Sequence, residues 1–298
     1  MQYNTLKRSG LTISEVSFGC MSLKADAKDN DAIIGNAVNN GITLFDTADL
    51  YDKGANEQLL GSALKGKRND VLITTKVGNR WKEDGSGWDW MPRKDYILKA
   101  IDESLKRLQT DHIDLYLLHG GTIEDPIDEV IEAFERLTDL GKIRAYGISS
   151  IRPNVIREYV NRSNIAAVMM QYSLLDRRPE EAILNLLLKN EIGVLARGTI
   201  ASGLLVNKPA KEYLDFTKEE VAAVVKEFKA LIPEGKSPSV TAIRYAIDNP
   251  AITTAVVGIR TSEQLSDALN AANSTPLTAM QMQQLQLLKS VKLYKQHR

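Results

Sequence analysis

Short apolar runs and longer amphipathic stretches take turns along nearly the whole chain. Eight runs are rich in Val, Ile, Leu, Met and aromatic residues: 15–21 (EVSFGCM), 42–48 (ITLFDTA), 71–77 (VLITTKV), 113–119 (IDLYLLH), 143–149 (IRAYGIS), 166–172 (AAVMMQY), 193–199 (GVLARGT) and 253–259 (TTAVVGI). Their apolar positions are continuous rather than alternating, which predicts parallel strands covered on both faces. The stretches between them keep the period of a helix. Residues 93–109 place Tyr96, Ile97, Ala100, Ile101, Leu105 and Leu108 along one side. Residues 126–142 open on Pro126 and stop at Gly141, the usual asymmetry of helix ends. Segments 31–41, 152–163, 179–190, 240–250 and 262–272 complete the series.

Eight strand–helix units in about 260 residues predict an α/β fold of the (β/α)8 barrel type, the TIM barrel. A doubly wound open sheet is the second choice. It would normally carry a glycine fingerprint after its first strand, and SFGCMSLKA (17–25) has no G-x-G-x-x-G. Without a linker or a shift in composition, residues 1–298 read as one barrel domain. Three additions decorate it. Residues 3–14 read as an N-terminal β-hairpin turning at Ser9-Gly10, a lid for the barrel's bottom. Residues 218–232 read as an inserted helix, and 278–291 as an extra C-terminal helix packed outside.

Composition narrows the class. The 298 residues are 43% hydrophobic, enough for a large core. Lys+Arg and Asp+Glu each number 38, so no net field favours nucleic acid or an anionic membrane. Cys20 is the only cysteine, which excludes an intrachain disulfide and fits a reducing compartment. The start, MQYNTLKRSG, lacks the apolar core of a signal peptide, and no run nears the roughly 20 apolar residues of a membrane span. A cytoplasmic protein, monomeric or weakly self-associating, is the expectation. The basic ending KLYKQHR reads as a solvated terminus.

In a barrel of this kind the chemistry sits where the strands end. Asp46 ends the second run, with Tyr51 in the loop beyond; Lys76 and His119 close the third and fourth. Ser149 and Ser150, then Gln171, Arg197 and Gly258 with Arg260, close the later ones. Singly, each has an ordinary structural role: a helix cap, a solvated lysine, a hydrogen-bonded histidine, a rim aromatic. Together, a carboxylate, a phenol, an ammonium and an imidazole converge from three adjacent strands. A free phenol has a pKa of about 10 and is a weak acid at neutrality. A nearby ammonium favours the phenolate, a carboxylate holds that ammonium charged, and an imidazole can orient a substrate oxygen. Such a set delivers a proton to an oxygen gaining negative charge, as carbonyl reduction requires. No serine or cysteine nucleophile stands with a base. His112, His119 and His297 lack metal-site spacing, so no metal is expected.

These stretches resemble the aldo-keto reductases. FDTADLYDKGANEQLLGSAL is similar to that family's D-T-A-x-x-Y-G-x-x-E-x-x-L-G signature, and ITTKV, IDLYLLH, GKIRAYGISS, MQYSLLDR and AVVGIRTSEQLSDAL follow in the family's order from about Leu6 to about Ala272. The resemblance implies a (β/α)8 barrel that binds NADP(H) without a Rossmann motif and reduces aldehydes and ketones, a small-molecule carbonyl being the partner. It implies that Tyr51 is the general acid, that Lys76 lowers its pKa, that Asp46 pairs with Lys76 and that His119 orients the carbonyl. Ser149 and Gln171 fall where the family holds the nicotinamide carboxamide. Gly19 and Met21 fall beside the nicotinamide, as does Asp46. Arg197, Gly198, Thr199 and Gly258 fall along the cofactor's path. Arg260 and Thr261 fall where the adenosine 2′-phosphate is gripped, and Gln264 beside the adenine. A guanidinium there favours NADP over NAD.

Three positions depart from the family's habit. Ser150 stands where Asn is common, and Ala268 where Asn often meets the adenine. Arg197 stands where an aromatic ring stacks on the nicotinamide; its plane can stack, or it can reach a phosphate. Residues 79–93 (NRWKEDGSGWDWMPR) carry all three tryptophans, Trp81, Trp88 and Trp90, and follow the third strand. They can form an aromatic wall for a hydrophobic substrate, an anchored loop on the rim, or a contact with another subunit.

Two other readings use the same residues. Some proteins similar in fold act as cofactor-sensing subunits, like potassium-channel β subunits. That version expects tight NADP(H) binding with little turnover. A barrel lyase would use Lys76 as a Schiff-base amine and need no cofactor.

Overall fold

The computed structural model describes residues 1–24, 27–288 and 291–298. The chain opens with an antiparallel hairpin, β1 (Tyr3–Leu6) and β2 (Leu11–Ser14). It continues through β3 (Val16–Gly19), α1 (Asn30–Asn39), β4 (Leu44–Asp46), α2 (Ala55–Ala63) and β5 (Leu72–Val77). A second hairpin follows, β6 (Asn79–Trp81) and β7 (Trp88–Trp90). Then come α3 (Lys94–Leu108), β8 (Ile113–Leu118), α4 (Ile127–Asp139), β9 (Ile143–Ser149), α5 (Pro153–Arg162), β10 (Ala167–Gln171), α6 (Ile183–Lys189) and β11 (Gly193–Arg197). The last elements are α7 (Lys218–Ala230), α8 (Pro238–Ile247), β12 (Thr254–Gly258), α9 (Ser262–Asn273) and α10 (Ala279–Leu287).

Strands β3, β4, β5, β8, β9, β10, β11 and β12 pair in parallel in that order, and β12 returns to β3 to close the barrel. The expected architecture is therefore present. The strands are apolar throughout because both of their faces are covered. Inward, Leu44, Leu115, Leu117, Ala145, Ala167, Met169, Leu195 and Val256 fill the barrel. Outward, a larger cluster lies between the strands and the ring of helices, including Ile97, Ile101 and Leu108 of α3. Each Leu, Ile, Val or Met among them contributes roughly 1.5–3 kcal/mol by leaving water.

Hairpin β1–β2 closes the barrel's bottom. Leu6 and Ile13 are buried among the inward-facing residues. Gly193, at the start of β11, makes room for this: a Cβ there would stand 2.1 Å from Leu6 Cδ2.

Several details differ from the sequence pattern. Helix α2 has a short apolar face and carries buried Asn56 and Glu57 in its first turn, so its polar start hides it. Segment 179–190 breaks into a helical turn at Arg178–Glu181 followed by α6. The terminal helix ends at Leu287, and residues 289 and 290 of the expected 278–291 lie outside the described residues. The basic ending keeps its expected solvated side chains but is tethered along its backbone and at Tyr294. Tyr294 is buried, its N–H donates to Glu181 Oε2 at 3.1 Å, and His297 O accepts from Asn154 N at 2.8 Å. Lys295 pairs with Asp215 at 2.9 Å. The Tyr294 ring lies 5.1 Å from the Arg178 guanidinium, and with the polar anchors this seats a run in which Lys295, His297 and Arg298 stay exposed. No helix among the described residues is long and apolar enough to cross a membrane.

Candidate active site

The four expected residues meet at the C-terminal ends of β4, β5 and β8. Asp46 is the last residue of β4, and its register partner on β5 is Thr74, two residues before Lys76. Lys76 is 1% exposed. Its Nζ donates to Asp46 Oδ1 at 2.7 Å and to Thr47 O at 2.6 Å. The same nitrogen reaches the Tyr51 hydroxyl at 3.5 Å and lies 5.1 Å from the centre of that ring. Tyr51 meets His119 edge-on, ring centres 5.8 Å apart. The chain of contact thus runs Asp46, Lys76, Tyr51, His119.

Tyr51 is delivered by a strained turn. Its N–H donates to Ala48 O, and the next three residues, Asp52, Lys53 and Gly54, all have left-handed backbone, φ +47°, +54° and +87°. For the two that carry a Cβ this costs of order 1–2 kcal/mol each. Gly54 has no Cβ to oppose it, and a Cβ there would sit 2.6 Å from Arg107 Cδ.

The support beneath the site comes from residues that the strand-end pattern does not mark. Thr47 Oγ1 donates to Asn56 Oδ1 at 2.7 Å, and Asn56 Nδ2 donates to Cys20 O at 2.9 Å. Glu57, fully buried, accepts from Thr75 Oγ1 at 2.6 Å and from Arg107 Nε at 2.7 Å. Asp49 lies beside this pair, with its N–H on Lys76 O at 3.4 Å. Burial, then the neighbouring Glu57 charge, holds its carboxyl well above the ordinary value. The available signal was the Asn56-Glu57 step just ahead of Leu59 and Leu60.

Electrostatics refine the expected roles. Burial acts to lower the Lys76 pKa, but Asp46 and Tyr51 beside it more than offset this, and the ammonium ends above its usual value. Burial pushes the Asp46 carboxyl up, against the pull of Lys76. Tyr51 departs from the simple expectation of a lowered pKa. Burial raises it, Lys76 lowers it, Asp46 raises it again, and the net is upward. Lys76 pulls in the expected direction but does not overcome burial. His119 is lowered to about 3, by burial first and then by Lys76 and Arg197. It is therefore neutral across the physiological range. Its Nδ1 is buried without a partner, so the proton is best carried on Nε2, leaving an acceptor rather than a donor unsatisfied.

The residues expected to face a cofactor lie along the same rim. Gly19 ends β3 and Met21, in the helical turn Cys20–Ser22, is 65% exposed. Ser149 ends β9; Ser150 Oγ accepts from Arg152 N at 3.2 Å. Gln171 ends β10 with both ends of its amide engaged: Oε1 accepts from Arg197 Nη1 at 3.2 Å, and Nε2 donates to Tyr213 Oη at 3.0 Å. Arg197 is exposed and electrostatically felt by Asp46, Tyr51 and His119. Gly198 follows it in a left-handed turn, and Thr199 is buried. Gly258 ends β12. Thr261 Oγ1 caps α9 by accepting from Gln264 N at 3.2 Å, while Gln264 Oε1 turns back to accept from Arg260 N at 2.9 Å. Arg260 extends into solvent.

The tryptophans form the β6–β7 hairpin just above β5. Trp81 and Trp90 are partly buried, whereas Trp88 is exposed and meets Trp81 edge-on at 5.6 Å. His112 lies at the other end of β8, hydrogen-bonded to Asp111, and the described residues hold no His/Cys/Asp/Glu cluster able to bind a metal ion.

The chain is similar to known proteins along its whole length. Residues 15–289 match the model of the Aldo/keto reductase family. The chain is 46% identical to an uncharacterized oxidoreductase, YqkF, of Bacillus subtilis, over all of both chains. It is 33% identical to the aldo-keto reductase yakc [NADP(+)] of Schizosaccharomyces pombe over 69% of this chain and 63% of that one. Among solved structures, the holo form of the aldo-keto reductase AKR11C1 of Bacillus halodurans superposes with a TM-score of 0.94 at 46% identity, covering 100% of this chain and 99% of that one.

Proposed function

The chain belongs to the aldo/keto reductase family of oxidoreductases, and on that premise we propose that it reduces aldehydes or ketones to alcohols with NADPH. The observation that carries this reading is the single line of contact from Asp46 through Lys76 to Tyr51, ending against His119.

Tyr51 is the proton donor. Its raised pKa keeps the hydroxyl protonated at neutrality, which is the form a reduction consumes. As the proton leaves, negative charge develops on the phenol oxygen, 3.5 Å from a permanent cation. Lys76 therefore favours the product of the transfer more than its start. Asp46 holds Lys76 charged and aimed. His119, neutral and donating from Nε2, orients the carbonyl oxygen toward the Tyr51 hydroxyl without competing to be the acid. The cofactor, when bound, supplies the hydride.

The residues on the rim suit such a cofactor chemically. Hydroxyls of Ser149 and Ser150 and the Gln171 amide match a carboxamide. The exposed guanidiniums of Arg197 and Arg260 match phosphates, Arg260 standing at the start of α9 where helix N–H groups also favour an anion. The choice of NADP is further supported by a relative whose name specifies NADP(+). A Schiff-base role for Lys76 needs a neutral amine. Asp46 works against that by holding the group ionised and almost fully buried.

The test is NADPH oxidation, followed by its near-ultraviolet absorbance, over a panel of aliphatic, aromatic and sugar-derived aldehydes with NADH in parallel. Turnover that collapses in Tyr51→Phe supports the reading. Tight NADPH binding without turnover on any carbonyl would overturn it and favour a cofactor-sensing role.

A further inference from the structure

Hairpin β6–β7 touches the backbone on both sides of the proposed catalytic pair. On the Tyr51 side, the Trp81 indole N–H donates to Leu50 O at 3.2 Å, the carbonyl immediately before Tyr51. Lys53, within the left-handed turn that follows Tyr51, places its ammonium 5.1 Å over the Trp81 ring. A turn with two left-handed residues bearing side chains persists only where its surroundings impose it. Trp81 supplies a hydrogen bond on one side of Tyr51 and a cation–π contact on the other.

On the His119 side, Asn79 Nδ2 donates to His119 O at 3.3 Å. Trp90, the register partner of Asn79, packs its ring against Gly78 and Gly120, the latter adjoining His119. Its N–H donates at 2.9 Å to Asp125 Oδ1, which also accepts from the Thr122 hydroxyl at 2.8 Å. One two-stranded element therefore contacts the segments that carry both side chains.

We propose that hairpin β6–β7 is a brace that fixes Tyr51 and His119 relative to one another, with Trp81 and Asn79 as positioning residues. The proposal rests on the reductase reading above. It differs from an aromatic wall in what it controls. A wall changes which substrates bind. A brace changes how well every substrate, once bound, receives its proton.

The experiment uses the full chain carrying Trp81→Phe, which keeps a ring for Lys53 and Trp88 but removes the donor to Leu50 O. A misplacement near 1 Å can cost about 100-fold in rate, so a partial loosening is expected to lower kcat by roughly tenfold. The same factor should appear for a small aliphatic and a bulky aromatic aldehyde, with KM and NADPH affinity unchanged. Adding Trp81→Phe to Tyr51→Phe should cost nothing further, because the effect acts through the Tyr51 hydroxyl. An unchanged kcat, a KM rise confined to bulky substrates, or an equal loss in the Tyr51→Phe background would overturn the brace. Asn79→Ala provides the second arm, with its kcat loss expected to vanish in a His119→Gln background. Hydrogen exchange at residues 48–54 reads the brace without any turnover. Trp81→Phe should speed exchange there but not in β8, and unchanged exchange would refute the proposal. A wild-type chain that braces this segment yet reduces no carbonyl would count against the reductase reading alone.

Discussion

Lys76 Nζ stands 3.5 Å from the Tyr51 hydroxyl and only 2.7 Å from Asp46. The cation is thus tied to the carboxylate and leans toward the phenol. That asymmetry divides their labour. Asp46 fixes the charge in place, and Tyr51 feels its field without a strong bond that the proposed proton transfer would have to break. Replacing Tyr51 by Phe should leave the fold and cofactor affinity intact while lowering kcat by about 100- to 10,000-fold, the range of positioned acid catalysis. Steady-state kinetics beside a thermal melt decide it. A kcat within about threefold of wild type, a loss of transition-state stabilisation under about 1 kcal/mol, would remove Tyr51 from the role.

Removing the cation should damage stability as well as rate. Lys76→Met leaves Asp46, 4% exposed, without its partner. Breaking a buried pair from one side costs about 3–5 kcal/mol, mostly because one charge is left unpaired. Lys76→Met with Asp46→Asn should recover part of that loss, since an amide is cheaper to bury than a carboxylate. Denaturant unfolding of the two variants tests this. If the double variant is no more stable than the single one, charge burial is not what Lys76 relieves.

His119 gives a pH dependence with a definite sign. Its pKa falls from 6.5 in the unfolded chain to about 3 in the fold. Between those values the unfolded chain binds the extra proton, so acid favours unfolding. Its contribution is fully present above pH 6.5 and is lost as pH drops toward 3, at up to about 1.4 kcal/mol per unit. His119→Gln cannot take the proton, so stability measured from pH 7 down to pH 4 should fall less steeply than in wild type. Parallel slopes would mean His119 is not protected from protonation.

Much of this site was legible because barrel geometry turns sequence position into spatial position. A residue that ends an apolar parallel strand is delivered to the same rim as its counterparts, so strand position alone groups Asp46, Lys76 and His119. Tyr51 lies in the loop just beyond Asp46 and joins the group through that adjacency, while its role as the acid comes from the resemblance to the family's signature. What could not be read was anything set by depth. The net upward shift of Tyr51 depends on how much water is excluded around it, and no spacing encodes that. Glu57 and Arg107 are 50 positions apart, and their pairing under the site exists only once α2 and α3 have packed. The tryptophans were visible, but their indole N–H partners, Leu50 O and Asp125, were not.

Cofactor preference should turn on Arg260. Its backbone N–H is taken by Gln264 Oε1, which turns the Gln264 side chain back onto the loop and leaves the guanidinium in solvent. That guanidinium makes no hydrogen bond or ion pair with the described residues, so nothing in the fold needs its charge. The first turn of α9 is acidic at Glu263, which by itself would repel a phosphate. A cation at this position offsets that repulsion and adds a charge-assisted bond of about 1.5–3 kcal/mol. Arg260→Ala should therefore weaken NADPH binding by roughly 10- to 150-fold at low salt, less at high salt because the site is exposed. NADH, which has no 2′-phosphate, should bind the variant as it binds the wild type, and the melting temperature should not move. Titrating both cofactors at two ionic strengths separates the outcomes. If Arg260→Ala weakens NADH as much as NADPH, the guanidinium reads a part of the molecule common to both, and the selectivity for the phosphate lies elsewhere on the rim.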